Sequence, residues 1–149
     1  MKSDKYNDEI LRILQKDGRI ANTELSQRVG LSPSACLRRV QELERQGVIC
    51  GYRASVDLKK LGIGFTAYVT VGLGEHTKRS QEAFEQAITL AEEVIECHNV
   101  TGSFEYILRV ETTDLVAYKR FHTDVLGTLP QVATISTHVV MESNKDLRA

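Results

Sequence analysis

Hydrophobic residues recur at helical spacing along the first third of the chain. Over residues 4–17 they fall on one side of a helix, with charged residues on the other, and this predicts an amphipathic helix that Gly18 ends. Its apolar residues are Tyr6, Ile10, Ile13 and Leu14.

Two shorter helical patterns follow within residues 22–47, on either side of Gly30-Leu31-Ser32-Pro33. Leu25 and Val29 mark the first pattern. The second is marked by Cys36, Val40 and Leu43. Ser32 can cap the second helix and Pro33 suits its first position. Together with the first helix, the pair predicts a three-helix domain of the helix-turn-helix type.

The outward side of the second helix carries hydrogen-bond donors. Arginine can read guanine and glutamine adenine in the major groove, so Arg38, Gln41 and Arg45 are candidates for base contacts. Ser34 and Arg39 lie nearer the flank and favour phosphate, as does the helix start at Ser32. The predicted DNA contacts are Ser32, Ser34, Arg38, Arg39, Gln41 and Arg45. The alternative is a solvated face on which Glu42 pairs with Arg38 or Arg45.

The segment 48–57 has the β-branched and aromatic content of one or two short strands. These strands are either the wing of a winged helix or a β linker to a second domain. The predicted domains are 1–48 for the helix-turn-helix, 49–63 for a β linker and 64–149 for a second domain.

The second half of the chain alternates between strand and helix patterns in the order β-α-β-β-α-β. The predicted strands are Phe65–Leu73, Ile95–Thr101, Glu105–Glu111 and Val132–Glu142, and the predicted helices are Ser80–Val94 and Asp114–Leu126. This order predicts an antiparallel sheet with both helices on one face, the ferredoxin-like motif, and an α+β protein overall.

The sheet face that the helices leave open is predicted to be polar with a few apolar members. It is either hydrated or packed against a second copy of the chain through Tyr68, Ile107 and Val140, enclosing a small polar pocket. Its other predicted members are Thr66, Thr70, Glu105, Arg109, Thr134, Ser136 and His138.

The charge distribution separates the two halves, although the net charge is only −1. Residues 1–60 hold 12 Lys and Arg against 8 Asp and Glu, a net +4, whereas residues 61–149 hold 7 against 12, a net −5. Three cysteines form no paired framework, and no apolar stretch is long enough to span a bilayer. A reducing, cytoplasmic setting without membrane contact is expected.

The sequence offers little for metal binding or catalysis. Cys97-His98, His122 and His138 lack the spacing of a chelating site. The nucleophile elbow, the dinucleotide-binding glycines and the phosphate loop are missing. We therefore expect no metal, no cofactor and no enzymatic activity.

Several short motifs, in order and at consistent spacing, resemble the Lrp/AsnC (feast/famine) transcription regulators and cover nearly the whole chain. They are Asp17-Gly18-Arg19, Leu25-Ser26, Val29-Gly30-Leu31-Ser32-Pro33, Cys36, Arg39-Val40, Leu43-Glu44, Gly47, Ile49, Gly51-Tyr52, Val100-Thr101-Gly102, Tyr106 and Leu108. The resemblance is closer to the leucine-responsive branch than to the asparagine-responsive one.

The resemblance implies an assembly and an effector. Family members pair through the sheets of the second domain, assemble into octamers or similar rings and bind an amino acid between subunits near a Gly-x-x-Asp turn. Here that turn reads Gly102-Ser103-Phe104-Glu105, so a glutamate replaces the aspartate. Glu105 is predicted to hold an effector ammonium; the alternative is that it pairs with Arg109. The predicted effector residues are Thr101, Gly102, Ser103, Phe104, Glu105, Thr134 and Ser136.

The combined prediction is a sequence-specific regulator that binds double-stranded DNA as a homo-oligomer and responds to an amino acid. The nearest alternative is an architectural DNA-binding protein that ignores small molecules. A small-molecule enzyme on the ferredoxin-like domain is a more distant alternative.

Overall fold

The computed structural model describes residues 4–146 and consists of two compact units that divide between Ser55 and Val56. From residue 4 onward the N-terminal unit contains three helices: α1 (Lys5–Leu14), α2 (Asn22–Val29) and α3 (Pro33–Arg45). The predicted three-helix arrangement is confirmed. Helix α1 ends at Leu14, earlier than the predicted residue 17. The N–H groups of Lys16 and Asp17 both donate to the Ile13 carbonyl, as is usual in the last turn of a helix.

One apolar cluster holds the three helices together. Burying these side chains is what stabilises helices too short to persist alone. Its buried members are Ile10, Ile13, Leu25, Val29, Cys36 and Leu43. Cys36 is fully buried, as the α3 pattern predicted, and burial raises the pKa of its thiol.

Segment 48–57 contains no strand in the part of the chain that the structure describes, so the predicted strands are wrong, whether as a wing or as a β linker. The N–H groups of Val48 and Ile49 both donate to the Leu43 carbonyl at the end of α3. Tyr52 donates its hydroxyl to Glu44 at 2.8 Å. The segment follows the helix end instead of pairing with another strand.

The C-terminal unit has the predicted order of strands and helices, and its residues up to 146 form four strands, two helices and a short 3₁₀ helix. They are β1 (Phe65–Leu73), α4 (Lys78–Thr89), β2 (Val94–Asn99), β3 (Tyr106–Thr112), α5 (Leu115–Asp124), the 3₁₀ helix Leu126–Thr128 and β4 (Val132–Val139). Asp114 caps α5 by accepting from the Ala117 N–H at 2.7 Å.

The four strands form one antiparallel sheet in the order β2-β3-β1-β4, which is the ferredoxin-like arrangement. Alternate residues of β1 and β3 pack against Phe84 and Ile88 of α4 and Tyr118 and Phe121 of α5. Both helices therefore cover one face of the sheet. The other face carries Tyr68, Ile107, Arg109, Thr134 and Ser136, as their alternation predicted.

Strand β4 is shorter than predicted and ends at Val139 instead of Glu142. The Val140 N–H makes one further bond, to the Thr66 carbonyl at the start of β1. Because β1 begins at Phe65, the chain beyond Val140 has no neighbouring strand to pair with among the described residues. The length of β4 is thus set by its partner.

Candidate functional site

The start of α3 is fixed by local contacts. Ser32 caps the helix by accepting from the Ala35 N–H at 3.2 Å, and Pro33 occupies the first turn, as predicted. Asn22, at the start of α2, donates to the Pro33 carbonyl at 2.9 Å. Gly30 ends α2 with a φ of 71°, a left-handed conformation that glycine adopts without strain. These contacts fix the turn between the two helices.

The outward face of α3 carries Ser34, Arg38, Gln41 and Arg45, all exposed. Arg38 forms neither a hydrogen bond nor an ion pair with any residue from 4 to 146. Arg45 binds Glu42 through two hydrogen bonds of 2.6 and 2.8 Å. Arg45 and then Gln46 lower the pKa of Glu42 to about 2. Of the two pairings weighed for Glu42, the one with Arg45 forms.

Arg39 points toward α1 instead of the outward face. Its guanidinium forms an ion pair with Asp4, donates to the Asn7 side chain at 2.9 Å and lies 5.3 Å from the centre of the Tyr6 ring. The hydrogen bond from Arg39, followed by that from the Tyr6 N–H, lowers the pKa of Asp4. Arg39 thus connects α3 to the capped end of α1.

The predicted effector turn, residues 101–105, is an irregular segment between β2 and β3. The Val100 N–H and the Asn99 side chain both donate to the Glu105 carbonyl, at 2.8 and 3.2 Å, and close the turn. Gly102 has a φ of 124°, which favours glycine. The N–H groups of residues 101–104 donate no hydrogen bond to the described chain, so they are available to an anion.

The Glu105 carboxylate is held on both oxygens, and its side chain is only 15% exposed. Oε2 accepts from the Leu73 N–H at 2.6 Å, and Oε1 lies 2.8 Å from His76 Nδ1. The predicted alternative, pairing with Arg109, is wrong: Arg109 binds Glu111 at 2.9 Å. It also donates to the Tyr68 hydroxyl at 3.0 Å.

Gly72 lies between the two groups of predicted effector residues, which are residues 101–105 and the β4 pair Thr134 and Ser136. A Cβ at this position would lie 2.3 Å from Thr134 Oγ1 and 3.7 Å from Glu105 Oε2. The β1–β4 register also shifts here, between Gly72 and Leu73. Thr134 therefore lies across Gly72 from Glu105. Ser136 is two residues further along β4, on the same face, beside Thr70.

Three parts of this site were missed from the sequence: Gly72, the Leu73 N–H and His76. A glycine inside an otherwise apolar strand is a signal for a bulge or a close approach and could have drawn attention to Gly72. His76 lies in a loop, where no periodicity applies.

A cavity of about 500 Å³ lies elsewhere in the C-terminal unit, and Glu92, Glu111, Ala117 and Phe121 are among its lining residues. None of the predicted effector residues lines it.

The described residues contain no group of three or more His, Cys, Asp or Glu side chains placed to hold a metal ion. Over the same residues, each helix is too short or too polar to cross a lipid bilayer.

Two family models match the chain, one over each unit. A model described as winged helix-turn-helix DNA-binding matches residues 4–49. A model described as Lrp/AsnC ligand binding domain matches residues 66–149.

Individual relatives span nearly the whole chain. The leucine-responsive regulatory protein of Escherichia coli strain K12 is 44% identical over 142 residues, which are 95% of this chain and 87% of that protein. A transcriptional regulator from Neisseria meningitidis, solved as a complex with L-Met, superposes with a TM-score of 0.93 at 34% identity, covering 97% of this chain and 94% of its own. An AsnC family regulator from Agrobacterium tumefaciens gives 0.90 at 31% identity, with the same coverage.

Proposed function

Since the chain belongs to the Lrp/AsnC family of DNA-binding transcription regulators, we propose that α3 reads a specific DNA sequence and that an amino acid bound at Glu105 changes DNA affinity or assembly. One observation carries the effector part. The largely buried carboxylate of Glu105 lies next to a turn, residues 101–104, whose N–H groups donate no hydrogen bond to the described residues. An amino acid presents the complementary charges, one ammonium and one carboxylate.

For the DNA part, Arg38, Gln41 and Arg45 are the proposed base contacts, and Ser32 and Ser34 the proposed phosphate contacts. The ion pair of Arg45 with Glu42 is exposed, so releasing it for DNA costs little. Arg39 was predicted to contact phosphate. Its bonds to α1 favour a different role, in which it positions α3 for the residues that touch DNA.

For the effector part, the ammonium binds Glu105 and the carboxylate binds the N–H groups of residues 101–104. Thr134, across Gly72 from Glu105, supplies a hydroxyl, and Ser136 extends that row. The Neisseria meningitidis relative was solved with L-Met, and this supports an amino acid as the effector class.

The proposed assembly is a homodimer formed through the open sheet face, which associates further into an octamer or a similar ring. The effector site opens onto that face, where a second subunit would complete it. In this proposal the protein binds DNA in the cytoplasm, and no residue acts as a catalyst.

The DNA part is tested by fluorescence anisotropy with a duplex selected from a random library. Arg38→Ala should weaken binding to the selected duplex by about 1–3 kcal/mol and leave binding to random DNA nearly unchanged, because a base contact carries sequence information. Arg12→Ala is the matched control, since Arg12 is an exposed arginine paired with Glu9 on α1. Equal losses on both duplexes would show that Arg38 contacts phosphate only.

The effector part is tested by repeating the titration with each of the twenty standard L-amino acids. At least one should shift DNA affinity or the assembly state. A protein that binds DNA with strong salt dependence but responds to none of them is an architectural DNA-binding protein.

A further inference from the structure

His76 stands where a positively charged ligand group would have to bind Glu105. Its Nδ1 lies 2.8 Å from Glu105 Oε1, and among the described residues it is the only side chain that contacts this carboxylate through a nitrogen atom. His76 itself is 73% exposed, whereas the Glu105 side chain is 15% exposed. The contact therefore joins an exposed side chain to a largely buried one.

The two carboxylate oxygens of Glu105 differ in how firmly they are held. Oε2 accepts at 2.6 Å from the Leu73 N–H, a backbone donor of β1 that cannot move without disturbing the sheet. Within residues 4–146, Oε1 is held only by the exposed imidazole of His76. An incoming ammonium will therefore compete for Oε1, because the bond to Oε2 is part of the strand.

The loop that carries His76 is fixed at both ends and open in the middle. The Gly74 N–H donates to the Gln131 carbonyl at 2.9 Å, and Thr77 caps α4 by accepting from Ser80 at 3.1 Å. His76 can thus turn away from Glu105 without releasing either end of the loop. The nearby Lys78 pairs with Glu82 at 3.6 Å and not with Glu105.

We propose that His76 occupies the position of the effector ammonium in the effector-free protein and must be displaced when the effector binds. This inference rests on the effector site proposed above. His76 thereby lowers effector affinity and acts as a specificity-determining residue. A ligand with an α-ammonium group can replace the imidazole on Glu105, whereas the corresponding 2-oxo acid brings no cation to do so.

The test is calorimetry on the full chain, with each of the twenty standard L-amino acids as probe, followed by the 2-oxo acid of the tightest binder. His76→Ala removes the competitor and should tighten binding about three- to tenfold, the range that corresponds to the net contribution of one ordinary hydrogen bond, because the imidazole is largely exposed to water. His76→Lys places a permanent ammonium beside Glu105 and should weaken binding. Lys78→Ala, the matched control, should leave affinity within about twofold of the wild type.

The outcomes separate this inference from the effector site itself. If Glu105→Gln loses binding while His76→Ala binds no more tightly than the wild type, the role given to His76 is wrong and the site stands. Ala and Lys variants that shift affinity in the same direction also overturn it. If Glu105→Gln binds like the wild type, or no amino acid binds at all, the proposed site and this inference fall together.

Discussion

Gly72 is the residue on which the geometry of the effector site depends. Because a Cβ there would lie 2.3 Å from Thr134 Oγ1, Gly72→Ala forces the threonine side chain or the strand to move. We expect the variant to lose about 1–3 kcal/mol of stability, the usual cost of overpacking, and to bind the effector more weakly. Urea unfolding and calorimetry measure the two effects.

A second-site variant separates this clash from a general loss of glycine. Without Oγ1, the next contact of the added Cβ is with Thr134 Cβ at 3.6 Å, an ordinary van der Waals distance. Thr134→Ala should therefore restore most of the stability that Gly72→Ala loses. If the two losses simply add, the close approach of Gly72 to Thr134 is not the cause.

At the scale of elements, the ion pair between Asp4 and Arg39 fastens α1 to α3. Arg39, and then the Tyr6 N–H, lower the pKa of Asp4 below its ordinary value of 3.8. A carboxylate with a lowered folded-state pKa stabilises the fold fully above its unfolded pKa, and this contribution is lost as the pH falls through the folded pKa. Acid should therefore loosen α1 from α3.

Asp4→Asn is the matched variant, because asparagine also caps a helix but carries no charge. The wild type should be the more stable of the two at neutral pH, and the difference should shrink below about pH 4. This stability difference is measured by urea unfolding at a series of pH values from 7 to about 2, with NMR signals of the N-terminal unit as the probe. A difference that is constant with pH would mean that the charge of Asp4 contributes nothing.

At the scale of the whole molecule, the open sheet face determines whether the chain associates. Ile107 lies half-buried on that face, opposite Thr70 of β1. In the proposed dimer it is covered by the second copy, so Ile107→Asp would bury an unpaired charge and should yield monomers. Sedimentation equilibrium of the full chain measures the association state.

Leu90→Asp is the control for this prediction, since Leu90 follows α4 and is 84% exposed on the helix side. It should remain at least dimeric. The prediction is wrong if Ile107→Asp has the circular dichroism spectrum and the association state of the wild type. The open face would then be hydrated, and any dimer would form through another surface.

Outside segment 48–57, the sequence by itself determined which elements form, their order and which side of each is buried. Val69, Val71 and Leu108 lie in the core, and Arg38 and Gln41 face outward, as periodicity predicts. The spacing of side chains along a helix or strand is a local property, so the pattern of residues records it. For the same reason the cap at Ser32 could be predicted from the sequence.

The tertiary structure alone decided the partners of individual groups. Glu105 accepts a hydrogen bond from the Leu73 N–H, 32 positions earlier in the chain, and Arg39 donates to Asp4, 35 positions earlier. Neither partner is a neighbour along the same element, which is all that residue spacing can predict. Segment 48–57 has strand-like composition but forms no strand, because a strand needs a partner to accept its hydrogen bonds. These outcomes depend on strand register and helix packing, which bring distant residues together and leave no trace in local periodicity.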